Sequence, residues 1–296
     1  YIAPETKKKI ADKIKKQKFD FAAITSPRFN ILAALYLSGI PLIVTPAIKG
    51  GFSPYETKLY KMLKKFVVAR NHQMGRLAAG EYLKMLEPVS IDASDTAKHL
   101  SYSPAGEAKI LDFFAKQGVY PAGDFIVGIS PSSGNKIKNW PAPRFAQLAD
   151  YLAEKHKAKI IIVGAGGDLQ ETTEMLTSLK PTTKVVNAVG AFDLGELKAL
   201  IAKLDLFISI DTGPIYIAEA FKVPTVDIVG PIDEREQPPV GPLHRIVVAP
   251  RRKPELYVMN ARVYDAKEAK RQVDDISPEM VITELEKLIP LILKEG

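Results

Sequence analysis

The 296-residue sequence contains no cysteine, so it can form no disulfide framework. It also lacks a long uninterrupted apolar run. The most hydrophobic stretch, residues 31–48, is broken by Gly39, Pro41 and Pro46, and a membrane span needs roughly 18 consecutive apolar residues. The first residues, YIAPETKKK, have no apolar core of the kind found in a signal peptide. These absences predict a cytoplasmic protein without a membrane-spanning segment.

Several motifs for metals and cofactors are also missing. The four histidines, at positions 72, 99, 156 and 244, show no ligand spacing, and no Asp-x-Asp pair follows a predicted strand in the second half of the chain. We therefore expect no metal and no cofactor. The glycines after residue 163 do not form GxGxxG, because Leu169 stands where the last glycine should be, and this argues against a nicotinamide oxidoreductase. No Walker lysine motif and no nucleic-acid-binding signature occurs, so we expect no nucleic-acid partner.

The chain has the composition of an ordinary globular protein, with 46% hydrophobic and 25% charged residues. Its net charge of +7 is unevenly distributed. Residues 1–122 contain 19 lysines and arginines against 10 aspartates and glutamates, whereas residues 123–296 contain 22 against 24. The basic half is suited to an anionic substrate or to peripheral contact with an anionic membrane surface, although many of its lysines are expected simply to be solvated.

Between residues 123 and 276, β and α patterns alternate along the chain. Short apolar runs predict strands at 125–130, 159–163, 184–186, 206–210, 225–229 and 245–248. Amphipathic segments predict helices at 141–156, 169–179, 194–203 and 215–221. This alternation predicts an α/β domain with a parallel sheet covered on both faces.

The first 122 residues give a weaker α/β pattern. We predict helices at 4–17, 30–37, 72–88 and 105–117, strands at 19–25, 42–44 and 66–69, and a helix-bearing loop at 49–65. We place a domain boundary after residue 122, in the Pro-Ala-Gly turn, and expect the last helix, 277–296, to cross back to the first domain. With about three strands and a helix in front of them, the first domain is expected to lack its opening strands.

Residues 206–214 predict a strand, a tight loop and the start of a helix. Pro214 suits a first helical position, and Gly213 lets a ligand approach the backbone. Free amides and the helix dipole at such a start favour a phosphate group. Asp211 is either the N-cap of this helix or an acceptor that holds a ligand hydroxyl.

Two further loops follow predicted strands. Ser130, Pro131, Ser132 and Ser133 can surround an anion, and Lys138 shortly afterwards can place an ammonium group on a diphosphate. Trp140 is expected to pack beneath this loop. The next strand ends in the glycine-rich segment from Gly164 to Asp168. Because the carboxyl ends of parallel strands share one rim, the three loops predict a single nucleotide-diphosphate site, and the Gly230–Asp233 loop is a further candidate wall.

The motifs Ser130-Pro131-Ser132-Ser133, Lys138-Asn139-Trp140-Pro141, Asp211-Thr212-Gly213-Pro214 and Gly230-Pro231-x-Asp233 together resemble those of the heptosyltransferases of glycosyltransferase family 9. The resemblance implies a GT-B architecture, in which two Rossmann-like domains with parallel sheets face each other across a cleft. It also implies a bacterial enzyme that transfers heptose from ADP-heptose, without a metal and with inversion, to the lipopolysaccharide core or a related glycan.

By the same resemblance, Lys138 and the residues Asp211, Thr212, Gly213, Pro214 and Tyr216 bind the donor, together with the Ser130 loop, Gly164 and Asp168. The basic first domain would face an anionic glycolipid, and the protein could sit peripherally on the inner membrane. The family has a histidine where this chain has Tyr216. Its opening strand and the acidic base after it have no counterpart here, so we expect the base before Tyr1. The alternative is a non-catalytic nucleotide-sugar-binding protein.

Overall fold

A computed structural model describes residues 4–250 and 253–295 and divides the chain into two compact units. The first unit contains residues 1–96, 235–237 and 256–264, and the second contains 97–234, 238–255 and 265–296. The predicted boundary after residue 122 therefore differs from this division. The reason is that the helix at Pro104–Lys116 places Ile110 and Phe114 in the hydrophobic core of the second unit.

The first unit has one sheet of three parallel strands in the order β1-β2-β3. The strands are β1 (Phe21–Ala23), β2 (Leu42–Lys49) and β3 (Val68–Gln73). The helices are α1 (Pro4–Gln17), α2 (Phe29–Leu37), α3 (Lys58–Leu63) and α4 (Ala78–Leu83), with 3-10 turns at Lys64–Phe66 and Lys84–Val89. Its core is a small cluster that includes Leu32, Ile43 and Tyr60.

Two predictions for this unit are wrong. The helix expected from residue 72 is instead the end of β3, in which His72 pairs with Ile48, and α4 begins only at Ala78. β2 continues five residues past its predicted end, through Pro46. Pairing between β2 and β3 decides both outcomes, because it supplies hydrogen bonds that local sequence patterns do not reveal.

The second unit has a six-stranded, wholly parallel sheet in the order β6-β5-β4-β7-β8-β9. The strands are β4 (Ile126–Ser130), β5 (Lys159–Ile162), β6 (Val185–Asn187), β7 (Leu206–Ile210), β8 (Thr225–Val229) and β9 (His244–Val248). The helices are α5 (Pro104–Lys116), α6 (Ala142–His156), α7 (Leu169–Thr177), α8 (Leu194–Ile201), α9 (Gly213–Ala220), α10 (Ala266–Asp274) and α11 (Pro278–Glu295), and 3-10 turns lie at Lys136–Lys138 and Gly166–Asp168. All six predicted strands are present to within one or two residues.

Helices cover both faces of this sheet, as predicted for an α/β unit. In β4, Val127 and Ile129 belong to the cluster built with α6, α10 and α11, whereas Ile126 belongs to the cluster built with α5, α8 and α9. This alternation follows from the two-residue period of a strand. β4, β7 and β8 are buried along their whole length, which is why they read as continuous apolar runs.

The last two helices belong to the second unit. α10 was not predicted, although Asp265 and Glu268 have the spacing of a helix start, and the Asp265 carboxylate accepts the amide of Glu268 at 3.1 Å. α11 packs within the second unit through Val281, Leu285 and Leu288, and its crossing to the first domain stays a prediction. Within the described residues, no helix combines the length and apolar character needed to cross a bilayer.

Candidate functional site

The strand order of the second unit defines where a ligand is expected. From β4 the chain moves outward through β5 to β6, and then returns to place β7 on the other side of β4. In open parallel sheets, ligands bind outside the carboxyl ends of the strands at such a reversal, because the loops diverge there and leave a crevice. The loops after Ser130 and Ile210, at the ends of β4 and β7, flank this crevice.

A cavity of about 420 Å³ lies at this position, within the range of roughly 300 to 1,000 Å³ that is usual for small-molecule sites. It confirms the predicted convergence of the three loops, since eight of the twelve predicted donor-site residues line it. These are Ser130, Ser132, Ser133, Gly164, Asp168, Thr212, Gly213 and Pro214. The residues come from the loops after β4, β5 and β7.

A polar network joins two of these loops. The Ser132 hydroxyl donates to Asp168 Oδ1 at 2.7 Å, and the amide of Ala165 donates to Asp168 Oδ2 at 2.8 Å. Lys136 Nζ lies 2.9 Å from Ser132 Oγ and 2.6 Å from Glu171 Oε1. Burial alone would raise the pKa of Asp168, but the hydrogen bonds from Ser132, Ala165 and Lys136 outweigh it and lower that pKa. Asp168 is therefore an ionised acceptor that fixes the shape of the cavity wall.

A second cluster adjoins the loop after β7. Lys138 Nζ donates to the backbone carbonyl of Asp211 and lies 3.3 Å from Asp211 Oδ2. The Tyr216 hydroxyl donates to Asp211 Oδ1. The N-cap of α9 is Thr212, so the alternative in which Asp211 caps this helix is wrong. Asp211 is instead an acceptor held between an ammonium group and a phenol, next to residues that line the cavity.

Asp227, in the middle of β8, adds a second carboxyl group to this cluster. Its side chain is fully buried, and Oδ1 has no hydrogen-bond partner among the described residues. Burial, reinforced by the negative charge of Asp211, raises the pKa of Asp227 well above its usual range, although Lys138 opposes the shift. Burial and Asp211 likewise raise the pKa of Tyr216. Asp227 was not predicted, yet an aspartate inside the apolar strand TVDIV is a visible signal.

Four apolar residues also line the cavity. They are Phe192, Leu194, Leu197 and Ile217, none of which was predicted. Phe192 precedes α8 and is held by an edge-to-face contact with Phe113, at 5.0 Å between ring centroids. Apolar residues just before and inside a capped helix resemble ordinary core positions, so the sequence pattern alone does not reveal this wall.

The remaining predicted residues lie outside the cavity lining. Pro131 is buried within its loop, and Trp140 is buried as expected, with its indole N–H donating to Ile276 O at 2.8 Å. The Gly230–Asp233 loop does not contribute to the lining. Across the described part of the chain, no three His, Asp or Glu side chains are grouped so that they could hold a metal ion.

Comparison with known proteins gives consistent matches. The model of the family described as glycosyltransferase family 9 (heptosyltransferase) matches residues 5–263. Lipooligosaccharide heptosyltransferase 2 of Haemophilus influenzae is 27% identical over 218 residues, which cover 72% of this chain and 62% of that relative. The chain therefore spans less than two thirds of that protein's length.

Two solved structures share the fold. The glycosyl transferase family 9 protein from Veillonella parvula superposes with a TM-score of 0.75 at 20% identity, over 99% of this chain and 79% of that one. The ADP-heptose lps heptosyltransferase II of E. coli gives a TM-score of 0.70 at 17% identity, over 98% and 82%. At these identities the likeness establishes the α/β, GT-B type of fold.

Proposed function

Because the chain belongs to glycosyltransferase family 9, we propose that it is a heptosyltransferase that uses ADP-heptose and a lipopolysaccharide core acceptor, with inversion at the transferred anomeric carbon. The observation that carries the proposal is the cavity between the loops that follow β4 and β7. Apolar residues and the N-terminus of α9 line it, and Lys138 contacts Asp211 next to that N-terminus. The names of the H. influenzae and E. coli relatives support the choice of heptose and of the acceptor.

The cavity suits the two chemically different parts of a nucleotide-diphosphate sugar. Phe192, Leu194 and Ile217 offer the apolar surface that a nucleoside requires. The N-terminus of α9 and serines of the Ser130–Ser133 loop also contribute to the lining, and backbone N–H groups and hydroxyls of this kind can bind an anion. In this proposal the diphosphate lies at the start of α9.

Lys138 would stabilise the diphosphate as it leaves. An acceptor hydroxyl attacks the anomeric carbon from the face opposite the diphosphate, the bond from that carbon to the phosphate oxygen breaks, and its electron pair departs with ADP. A base takes the hydroxyl proton, and we assign no residue of the cavity to that step. The ammonium of Lys138 and the dipole of α9 offset the charge that develops on ADP, so we propose that no metal is required.

Calorimetric titration with ADP-heptose, ADP and UDP-glucose, followed by mass spectrometry of products formed on a lipopolysaccharide core acceptor, tests the proposal. We expect the two adenine nucleotides to bind and the acceptor to gain the mass of one heptose. A second candidate, binding without transfer, is favoured by the Tyr216 hydrogen bond to Asp211, and binding without any product would support it. Failure of ADP and ADP-heptose to bind would refute both candidates.

A further inference from the structure

The outer side of α3 and the 3-10 turn after it exposes large apolar side chains. Leu59 is 53% exposed, Met62 58% and Phe66 68%, although side chains of this size are usually buried. Their spacing of three and four residues places them along one side of the segment. Tyr60 lies on the other side, fully buried in the core of the first unit. The segment therefore has two apolar sides, and only one of them is used for folding.

The exposed apolar side continues onto α2. The ring of Tyr36 lies 6.4 Å from that of Phe66, and the neighbouring Leu37 is 80% exposed. α2 thus adjoins α3 through the contact between Tyr36 and Phe66, and we call the exposed apolar residues of the two elements the α2–α3 surface. It is defined by Tyr36, Leu37, Leu59, Met62 and Phe66. Contiguous exposed apolar residues of this kind mark a surface for interaction rather than scattered exposure.

Lysines alternate with these apolar residues. Lys58, Lys61 and Lys65 are exposed, and each directly precedes Leu59, Met62 or Phe66 in the sequence. The carboxylate of Glu56 pairs mainly with another lysine, since its Oε1 lies 2.6 Å from Lys64 Nζ and its Oε2 lies 3.9 Å from Lys61 Nζ. Residues 1–96 contain 16 lysines and arginines against 8 aspartates and glutamates, so the surroundings are also basic.

We propose that the α2–α3 surface docks onto the face of an anionic lipid bilayer, with its apolar side chains among the upper acyl chains and its lysines among the headgroups. Side chains of this composition lie in the membrane interface when they occupy one side of a short helix. The inference rests on the proposed function in one respect, since a lipopolysaccharide precursor would be held in such a membrane. The docking itself requires no donor and no acceptor.

An interface between two copies of this chain fits the same surface less well. Lysine is depleted at the centres of protein interfaces. In a two-fold dimer, the surface would also meet itself, and the three lysines of one copy would approach those of the other. Anionic headgroups instead supply the complementary charge. The observations therefore favour a lipid partner, and self-association is an outcome that the experiment must be able to detect.

The test is co-sedimentation of the purified protein with vesicles of phosphatidylglycerol and phosphatidylcholine, and with vesicles of phosphatidylcholine alone. Neither preparation contains nucleotide or acceptor. We expect binding to the anionic vesicles and a loss on the order of a hundredfold for Lys58→Glu/Lys61→Glu/Lys65→Glu, since each lysine near an anionic surface contributes roughly fivefold in affinity. Leu59→Ser/Met62→Ser/Phe66→Ser should lose roughly tenfold or more.

Matched controls come from the second unit. Lys159→Glu/Lys184→Glu/Lys267→Glu changes the net charge equally at exposed positions, and Leu169→Ser removes an exposed leucine. Both controls should keep at least a third of the wild-type affinity. Circular dichroism and ADP titration of every variant separate loss of docking from loss of fold or of the donor site.

Three outcomes would overturn the inference. The first is wild-type protein that fails to sediment with anionic vesicles. The second is an equal loss for the surface variants and the matched controls. The third is a wild-type dimer in analytical ultracentrifugation that the serine variant dissociates while vesicle binding stays unchanged. Because the vesicle assay omits nucleotide, a failed ADP titration would count against the proposed function and leave this inference standing.

Discussion

Replacing Lys138 with alanine tests the donor site most directly. In the structure its ammonium group is bonded to the Asp211 carbonyl and lies 3.3 Å from the Asp211 carboxylate, with only 15% of its side chain exposed. A bound diphosphate at the start of α9 would compete with Asp211 for this ammonium. The substitution therefore removes the cation that would contact the diphosphate. It also leaves the Asp211 carboxylate without this counter-ion, and both effects weaken binding of an anion.

The expected size follows from the chemistry of the contact. A hydrogen bond to a charged group is worth roughly 1.5 to 3 kcal/mol, which corresponds to about tenfold to 150-fold in affinity. Adenosine carries no phosphate, so its affinity should change by less than about threefold. The ratio of the two losses is the informative quantity, because any distortion of the cavity would affect both ligands.

Isothermal titration of ADP and adenosine into wild-type protein, Lys138→Ala and Lys180→Ala provides the measurement. Lys180 is a matched control, since its ammonium lies 2.7 Å from Glu154 in a half-exposed ion pair and neither residue lines the cavity. We expect Lys180→Ala to weaken ADP binding by less than about threefold, because a half-exposed ion pair contributes little. Equal losses of ADP and adenosine in Lys138→Ala would show that Lys138 does not contact the phosphates.

Four further predictions concern the same unit. The raised pKa of buried Asp227 means that the folded protein keeps a proton that the unfolded chain releases above its ordinary pKa of 3.8, so wild-type stability falls as pH rises beyond that value. The stability advantage of Asp227→Asn over wild type, measured by urea unfolding, should therefore grow from pH 4 to pH 8. An advantage that shrinks with rising pH would show that burial does not raise the pKa of Asp227. Tyr216→Phe removes one donor to buried Asp211 and should lower the free energy of unfolding by about 1 to 3 kcal/mol, whereas no change would mean that water replaces the phenol. Gly128→Ala should cost about 1 to 3 kcal/mol because its new Cβ would lie 2.4 Å from a Leu204 methyl carbon, while Gly123→Ala, with no atom within 4 Å of its new Cβ, should cost less than about 0.5 kcal/mol. ADP affinity should be unchanged by EDTA, and a strict need for magnesium would refute the role given to Lys138 and α9.

The sequence was most informative where strands are buried on both faces. β4, β5, β7 and β8 are short apolar runs that end in glycine, serine or aspartate, and their parallel order brings those ends to one rim. The positions of Ser132, Asp168 and Gly213 at one cavity follow from that geometry. Residue periodicity is sufficient here because each strand is specified locally and the sheet aligns the strands.

The sequence was least informative where a distant partner decides the structure. Pro46 lies inside the central strand β2, although proline normally marks an edge or an end, and its carbonyl accepts the Tyr60 hydroxyl at 2.7 Å. The contact between Lys138 and Asp211 joins residues 73 positions apart. A short stretch of sequence cannot show that β2 accommodates a proline or that Asp211 is the partner of Lys138, because both depend on tertiary packing.

The path of the chain between the two units has a consequence for dissecting the protein. Residues 235–237 and 256–264 belong to the first unit although their neighbours in sequence belong to the second. Glu236 shows how firmly the shorter segment is integrated, since its buried carboxylate accepts the amides of Gly75 at 2.8 Å and Val258 at 2.6 Å. A fragment that starts at Ala97 would therefore contain residues 235–237 and 256–264 without the rest of the unit to which they belong. The Glu236 carboxylate would also lose the hydrogen bond from the amide of Gly75. The two units have separate cores, but their segments alternate along the sequence. A single recombination or truncation point therefore cannot replace one unit with the corresponding unit of a homologue, and a chimaera would need several coordinated junctions.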